Sequence, residues 1–326
     1  MVFSLYMTRK NIPTAKKEHK VLSVHGHDRE DPYYWMRLSD EQKNTKNPDS
    51  QTRNVLNYIQ SETDYLKNSL KHTEKLQDVI YNEIVSRIKK DDSTVPYFKN
   101  GYYYYVRYEK GKEYPIFCRK KNNLSSSEII LVDANELAKG HDYFNVKGLS
   151  ISPNNEWMIY GTDTIGRRNY SLSLKNLKTG QLYVNFISNT TGSAAWANDN
   201  QTFFFTTRHK ETLRAEKIYR QTKYSLDKSP VLVYDETDDT FSSYVYRSKS
   251  GQYIIIGSNS TLVNDYQILN SDTPNKPFQP FTARGTAHEY EIDHYKDKFY
   301  ILTNWNAKNN RLMETPDNAT DITNWK

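Results

Sequence analysis

Apolar residues keep a helical rhythm over one short stretch of the chain and a strand-like rhythm over most of the rest. From residue 52 they fall at Val55, Leu56, Ile59, Tyr65, Leu66 and Leu70, and after Thr73 at Leu76, Val79, Ile80, Ile84 and Ile88. Spacings of three and four put these side chains on one helical face, so two helices are predicted. Thr73 stands where an N-cap is wanted, with Glu74 in the first turn. Arg87, Lys89 and Lys90 follow where the helix dipole favours cations.

After Asp91 and Asp92 the helical period stops. YYYYV from Tyr102, PIFCR from Pro115 and EIILV from Glu128 are strand-length runs, and the turn pairs Asn100-Gly101, Lys110-Gly111 and Asn122-Asn123 separate them. Further on the pattern repeats. SPNNEWMIYGTD (residues 152–163), ANDNQTFFFTTR (197–208), SKSGQYIIIGSN (248–259) and YKDKFYILTN (295–304) each carry a polar turn, an aromatic residue or Thr, and then an apolar run. NGYYYYVRY (100–108) is a looser fifth copy. With Tyr102, Trp157, Thr202, Tyr253 and Phe299 in register, the steps are 55, 45, 51 and 46 residues. That period, filled by about four short strands, is what a β-propeller blade needs, because one blade cannot cover both its faces and buries them against its neighbours. A β-sandwich would also supply many short strands but leaves the repeated unit unexplained. The expectation is a mostly β fold, an incomplete propeller of the seven-bladed type with about five blades present. It divides at 1–90, an extended and helical segment, and 91–326, the propeller.

Composition changes this picture little. The 27 Tyr, 12 Phe and 5 Trp against 12 Gly suit pleated surfaces, although a biased genome raises the same residues. The 45 basic and 39 acidic residues leave a scattered +6, without the basic stripe of a nucleic-acid binder. A mean hydropathy of −0.88 goes with no apolar run long enough for a membrane span. MVFSLYM meets Arg9 and Lys10 where a signal peptide would continue, so a cytoplasmic setting is expected, with a periplasmic one as the alternative. Cys118, the single cysteine, allows no internal disulfide and reads as a small buried residue.

Chemistry is hard to place. No G-x-S-x-G occurs, and Gly257-Ser258-Asn259-Ser260-Thr261 lacks the closing Gly. His288-Glu289-Tyr290-Glu291-Ile292 has Ile where a zinc helix needs its second His, and His25 with His27 has no identifiable further ligand. Asp238 and Asp239 read as turn residues. No catalytic residue, metal ligand or cofactor site is expected within these residues.

HGHDREDPYYWMRLSD (residues 25–40), the two following helices, SPNNEWMIYGTDTIGRRNYSLSLKNLKTGQ and TARGTAHEYEIDHYKDKFYILTNWNAKNNRLMETP together resemble the N-terminal part of oligopeptidase B-like members of the prolyl oligopeptidase family of serine peptidases. The resemblance runs from about Lys16 to the last residue. It implies a seven-bladed propeller that caps an α/β-hydrolase domain, and a leading segment that wraps the hydrolase. It further implies cleavage of short peptides after Lys or Arg by a Ser-Asp-His triad, with the propeller limiting access. That triad belongs to a C-terminal domain beyond residue 326, so none of it maps onto this chain, which is expected to be inactive alone. The resemblance makes Tyr33, Tyr34 and Trp35 half of an interface with that hydrolase domain, and Arg168, in the blade loop 164–168, a further interdomain contact. Two other readings compete: a free-standing propeller that binds a protein or peptide, which fold alone allows, and a glycan-acting propeller, for which no carboxylate pair can be placed.

Overall fold

The computed structural model describes residues 12–285 and 288–326, and the chain divides into two units, Met1–Lys89 and Lys90–Lys326. In the first unit His25 and Gly26 both take left-handed backbone (φ 55° and 76°), the two-residue turn whose twist matches that of paired strands. It closes the hairpin of β1 (Val21–Val24) and β2 (His27–Glu30), with Val24 opposite His27. A single 3₁₀ turn, Tyr34–Met36, leads to α1 (Asp40–Asn44). Ser39 and Gln42 form a reciprocal capping box at its start, with N···O distances of 3.2 and 2.9 Å.

The two predicted helices are α2 (Ser50–Leu70) and α3 (Glu74–Arg87). Asp49 caps α2 by accepting the Thr52 N–H at 2.7 Å. Thr73 does not cap α3. The 3₁₀ turn Lys71–Thr73 carries helical backbone across the junction, so Thr73 (φ −93°, ψ −11°) lacks the extended conformation a cap requires. Its hydroxyl donates instead to Leu70 O at 2.6 Å and accepts from Gln77 Nε2 at 2.8 Å. The apolar stripes exist but find little to cover them in this chain. Only Thr52 and Val55 of α2 are buried, and Leu76, Val79, Ile80 and Ile84 of α3 are exposed.

The second unit is a run of antiparallel blades. The first is β3 (Tyr97–Lys99), β4 (Tyr102–Arg107), β5 (Ile116–Lys121) and β6 (Glu128–Asp133), followed by the short α4 (Ala134–Leu137). The next two blades share one sheet. It holds β7 (Asn145–Ile151), β8 (Trp157–Asp163), β9 (Tyr170–Asn176), β10 (Leu182–Trp196), β11 (Thr202–Arg208), β12 (Ala215–Thr222) and β13 (Val231–Asp235). The early part of β10 pairs with β9 and the late part with β11, so one strand is outermost in the second blade and innermost in the third. The fourth blade is β14 (Ser242–Arg247), β15 (Tyr253–Asn259), β16 (Asn264–Asn270) and β17 (Gln279–Pro280). The fifth is β18 (Tyr290–Tyr295), β19 (Lys298–Thr303) and β20 (Arg311–Pro316), beside which Lys326 exchanges two backbone hydrogen bonds with Glu314.

The sequence repeat now has a physical cause. Asn100, Asn155, Asn200, Gly251 and Lys296 all adopt positive φ (47° to 77°), and each stands two residues ahead of the second strand of its blade. Asn and Gly tolerate that conformation best, which accounts for the polar turn. The apolar run follows because a second strand is covered on both faces. Phe203 and Phe205 join Ile159, Leu172 and Trp196 toward the second blade, while Phe204 joins Ile254, Ile256 and Leu269 toward the fourth. Ile255, between those two isoleucines, turns the other way into a cluster with Tyr290, Phe299, Ile301 and Trp325. Cys118 is 1% exposed, and its thiol is pushed up to about 12, first by burial and then by the charge of Glu128.

Candidate functional site

Antiparallel pairing sorts the loops onto two ends of the blades. Ser242 pairs with Asn259 and Asn145 with Asp163, so the start of each inner strand lies at the same end as the connection after the second strand. Residues 164–169, 209–214 and 260–263 therefore share one end. The inner strands β3, β7, late β10 and β14 enclose a cavity of about 820 Å³.

Small residues form part of its wall. Gly148 (φ 69°) packs so tightly that a Cβ there would lie 2.1 Å from Gly192 O, and one on Gly161 would lie 2.5 Å from Gly192 Cα. Only glycine permits this approach, which seats β7 and β8 against the bend of β10.

Asp163 organises the mouth at the shared end. It is buried, and its carboxylate accepts backbone N–H groups of Ile165 (2.9 Å), Gly166 (3.1 Å) and Arg168 (2.7 Å). This holds Arg168 in left-handed backbone (φ 57°), with its side chain exposed. Arg208, at the end of β11, donates to Leu213 O at 2.6 Å. Burial, and secondarily the charge of Arg168, holds its guanidinium below the usual arginine range. Lys147 Nζ lies 5.7 Å from the centre of the Tyr170 ring. At the other end are Lys99 and Arg247. Desolvation and then Arg247 depress the Lys99 ammonium, while burial depresses Arg247.

A second polar cluster lies between the third and fourth blades. Arg284 bridges Glu236 (2.7 Å) and Asp265 (2.9 Å), lies with its guanidinium 4.4 Å from the Phe241 ring centre, and meets Tyr234 Oη at 3.1 Å. Burial alone would raise the Glu236 pKa, but hydrogen bonds from Arg284, Tyr234 and the Asp238 N–H outweigh it and leave it lowered. The Tyr234 phenol is pushed up to about 12, chiefly by burial. The cluster is fully paired, so it pins the blades rather than waiting for a ligand.

Of the residues singled out in the sequence, Arg168 is brought beside Arg208. Tyr33, Tyr34 and Trp35 belong to the first unit. Tyr33 is exposed, Tyr34 has Lys20 and Arg37 over its ring, and Trp35 donates Nε1–H to Lys16 O at 2.7 Å while meeting Tyr58 edge-on at 6.4 Å. Sequence reasoning missed Lys99, Lys147, Arg208 and Arg247. Lys99 and Arg247 each stand just ahead of a repeat turn, whereas Lys147 and Arg208 lie at the other end of their strands and carry no local signal.

Residues 12–326 match the family described as "Prolyl oligopeptidase, N-terminal beta-propeller domain". The chain belongs to the prolyl oligopeptidase family. It is 32% identical to dipeptidyl aminopeptidase BI of Pseudoxanthomonas mexicana over 96% of its own length and 44% of that protein, and 29% identical to protease 2 of Moraxella lacunata over 94% and 44%. Among solved structures, oligopeptidase B from Leishmania major superposes with a TM-score of 0.81 at 26% identity, covering 94% of this chain and 44% of that one. The chain thus spans less than half the length of these prolyl oligopeptidase relatives.

Proposed function

We propose that this chain is the access-filtering propeller of a serine oligopeptidase that cleaves short peptides after Lys or Arg. A C-terminal α/β-hydrolase domain would supply the nucleophilic Ser with its Asp and His. The observation that carries the reading is the family match over residues 12–326 in a chain that covers 44% of its relatives. The exposed stripe of α3 and Tyr33 supports it, because contiguous exposed apolar surface marks a docking face. In this reading Tyr33, Tyr34, Trp35 and Arg168 contact the hydrolase domain, and the setting is cytoplasmic. The blades around the cavity would exclude folded proteins and pass extended peptides.

The test has two arms. The purified chain should not hydrolyse Arg- or Lys-linked chromogenic peptides. Turnover that survives removal of contaminating proteases, and is lost on mutation within residues 12–326, overturns the reading. The DNA beyond codon 326 should hold an open frame with G-x-S-x-G and a later His, and its longer product should cleave those peptides; an immediate stop codon favours a free-standing binding propeller. A dipeptide-releasing exopeptidase is the second reading, favoured by the name of the Pseudoxanthomonas relative. Release of dipeptides from free N-termini by the longer product would select it.

A further inference from the structure

The cavity wall is unbalanced in charge. Lys99, Lys147, Arg208, Arg214 and Arg247 line it, and no Asp or Glu stands among the described lining residues. The chain as a whole has 45 basic residues against 39 acidic, so a five-to-none wall departs far from its average. Arg214 is answered by Glu216 at 2.9 Å and by the carbonyls of Glu236, Asp238 and Phe241, and Arg247 donates to Trp196 O and Asn198 Oδ1. Lys99, Lys147 and Arg208 have no carboxylate partner among the described residues, and Arg208 Nε is buried without any hydrogen-bond acceptor there.

We propose that this cavity binds carboxylates, so that among short peptides containing Lys or Arg it admits best those that also bear Asp, Glu or a free C-terminus. Lys147 and Arg208 would hold the carboxylate at the mouth beside Tyr170, with Arg168 adding to the field, and Lys99 with Arg247 would do so at the far end. Charge-assisted hydrogen bonds are roughly twice as strong as neutral ones, and a cleft lined by one sign of charge concentrates the opposite ion. The lowered pKa of Arg208 agrees, since burial and then the charge of Arg168 disfavour its cation and an anion bound beside it offsets both. The peptide nature of the ligand rests on the oligopeptidase reading; the binding of carboxylate does not.

The experiment is calorimetric titration of the 326-residue chain with unlabelled peptides: tetraglutamate amide, tetraglutamine amide, tetraglutamine with a free C-terminus, and tetralysine amide. Tetraglutamate amide should bind at least about tenfold tighter than tetraglutamine amide and weaken sharply between about 20 and 200 mM salt. A gain on freeing the tetraglutamine C-terminus would identify the terminal carboxylate as a second source of the same chemistry. Lys147→Gln with Arg208→Gln should cut acidic-peptide affinity about tenfold, Arg208→Lys should keep most of it, and Lys178→Gln with Lys75→Gln, of equal charge change, should leave it unaltered. Circular dichroism verifies that each variant folds. Equal affinity for all four peptides, or an equal loss in the Lys178/Lys75 control, overturns the proposal. Selective acidic binding alongside an inactive longer product would sink the oligopeptidase reading alone.

Discussion

Arg284 donates to the Glu236 carboxylate at 2.7 Å, across 48 residues of sequence, and so fastens the segment after the fourth blade to the end of the third. The carboxylates of Glu236 and Asp265 are nearly inaccessible, whereas Arg284 is 34% exposed. Arg284→Ala leaves two acids buried without their cation. Breaking a buried pair costs about 3–5 kcal/mol, and the partial exposure of Arg284 brings the expectation to about 2–3 kcal/mol. Urea denaturation checks it, with Arg87→Ala on α3, whose partner Glu83 is exposed, as a control expected to change little.

Gly148→Ala should be worse than its single added methyl suggests. The new Cβ would meet Gly192 O at 2.1 Å, and the residue already has φ 69°. Overpacking and an incompatible backbone together cost about 2–4 kcal/mol. A lowered thermal midpoint measures this, and an unchanged midpoint would show that β7 and β10 can separate freely.

His294 gives the fold a pH dependence near neutrality. Its side chain is buried, its ring accepts or donates to Ser250 Oγ at 2.8 Å, and its pKa is lowered by desolvation, which outweighs the nearby Asp317. The unfolded chain then takes up a proton at a higher pH than the folded one. Stability is therefore full above the unfolded value near 6.5 and falls as pH drops below it toward the folded pKa. Denaturation midpoints at pH 7.5 and pH 5.5, read for the wild type and for His294→Phe, should differ less in the variant.

On α3, Ile80 and Ile84 are exposed within this chain. Ile84→Glu should change stability by no more than about 0.5 kcal/mol, as for other surface substitutions, while lowering the binding of a hydrophobic dye. If the proposed function holds, the same substitution should also weaken docking of the hydrolase domain in a longer product. A large stability loss in the 326-residue chain would show that the stripe is already covered.

The legible parts of the fold were those whose burial leaves a local mark. MIY, FFF and III are readable because β8, β11 and β15 are covered on both faces, and Asn100, Asn155 and Asn200 because few other residues bend the chain that way. The β1/β2 hairpin was not legible, since His27, Asp28, Arg29 and Glu30 are all exposed and carry no alternation. Inner strands such as β7, written NVKGLSI, were missed for a related reason: one face looks into the cavity and needs no apolar residue. The cationic wall is assembled from β3, β7, β14, the end of β11 and the loop before β12, so Lys147 or Arg208 alone looks like any surface charge. The Thr73 expectation failed because a cap depends on backbone angle as much as on residue type.

The sharing of β10 by two blades has a mechanical consequence. Consecutive sheets are joined through α4 after β6 and through loops after β13 and β17, and blades can part only at such seams. The second and third blades are stitched by an unbroken strand and would move as one stiff sector, leaving any gate to open beside it.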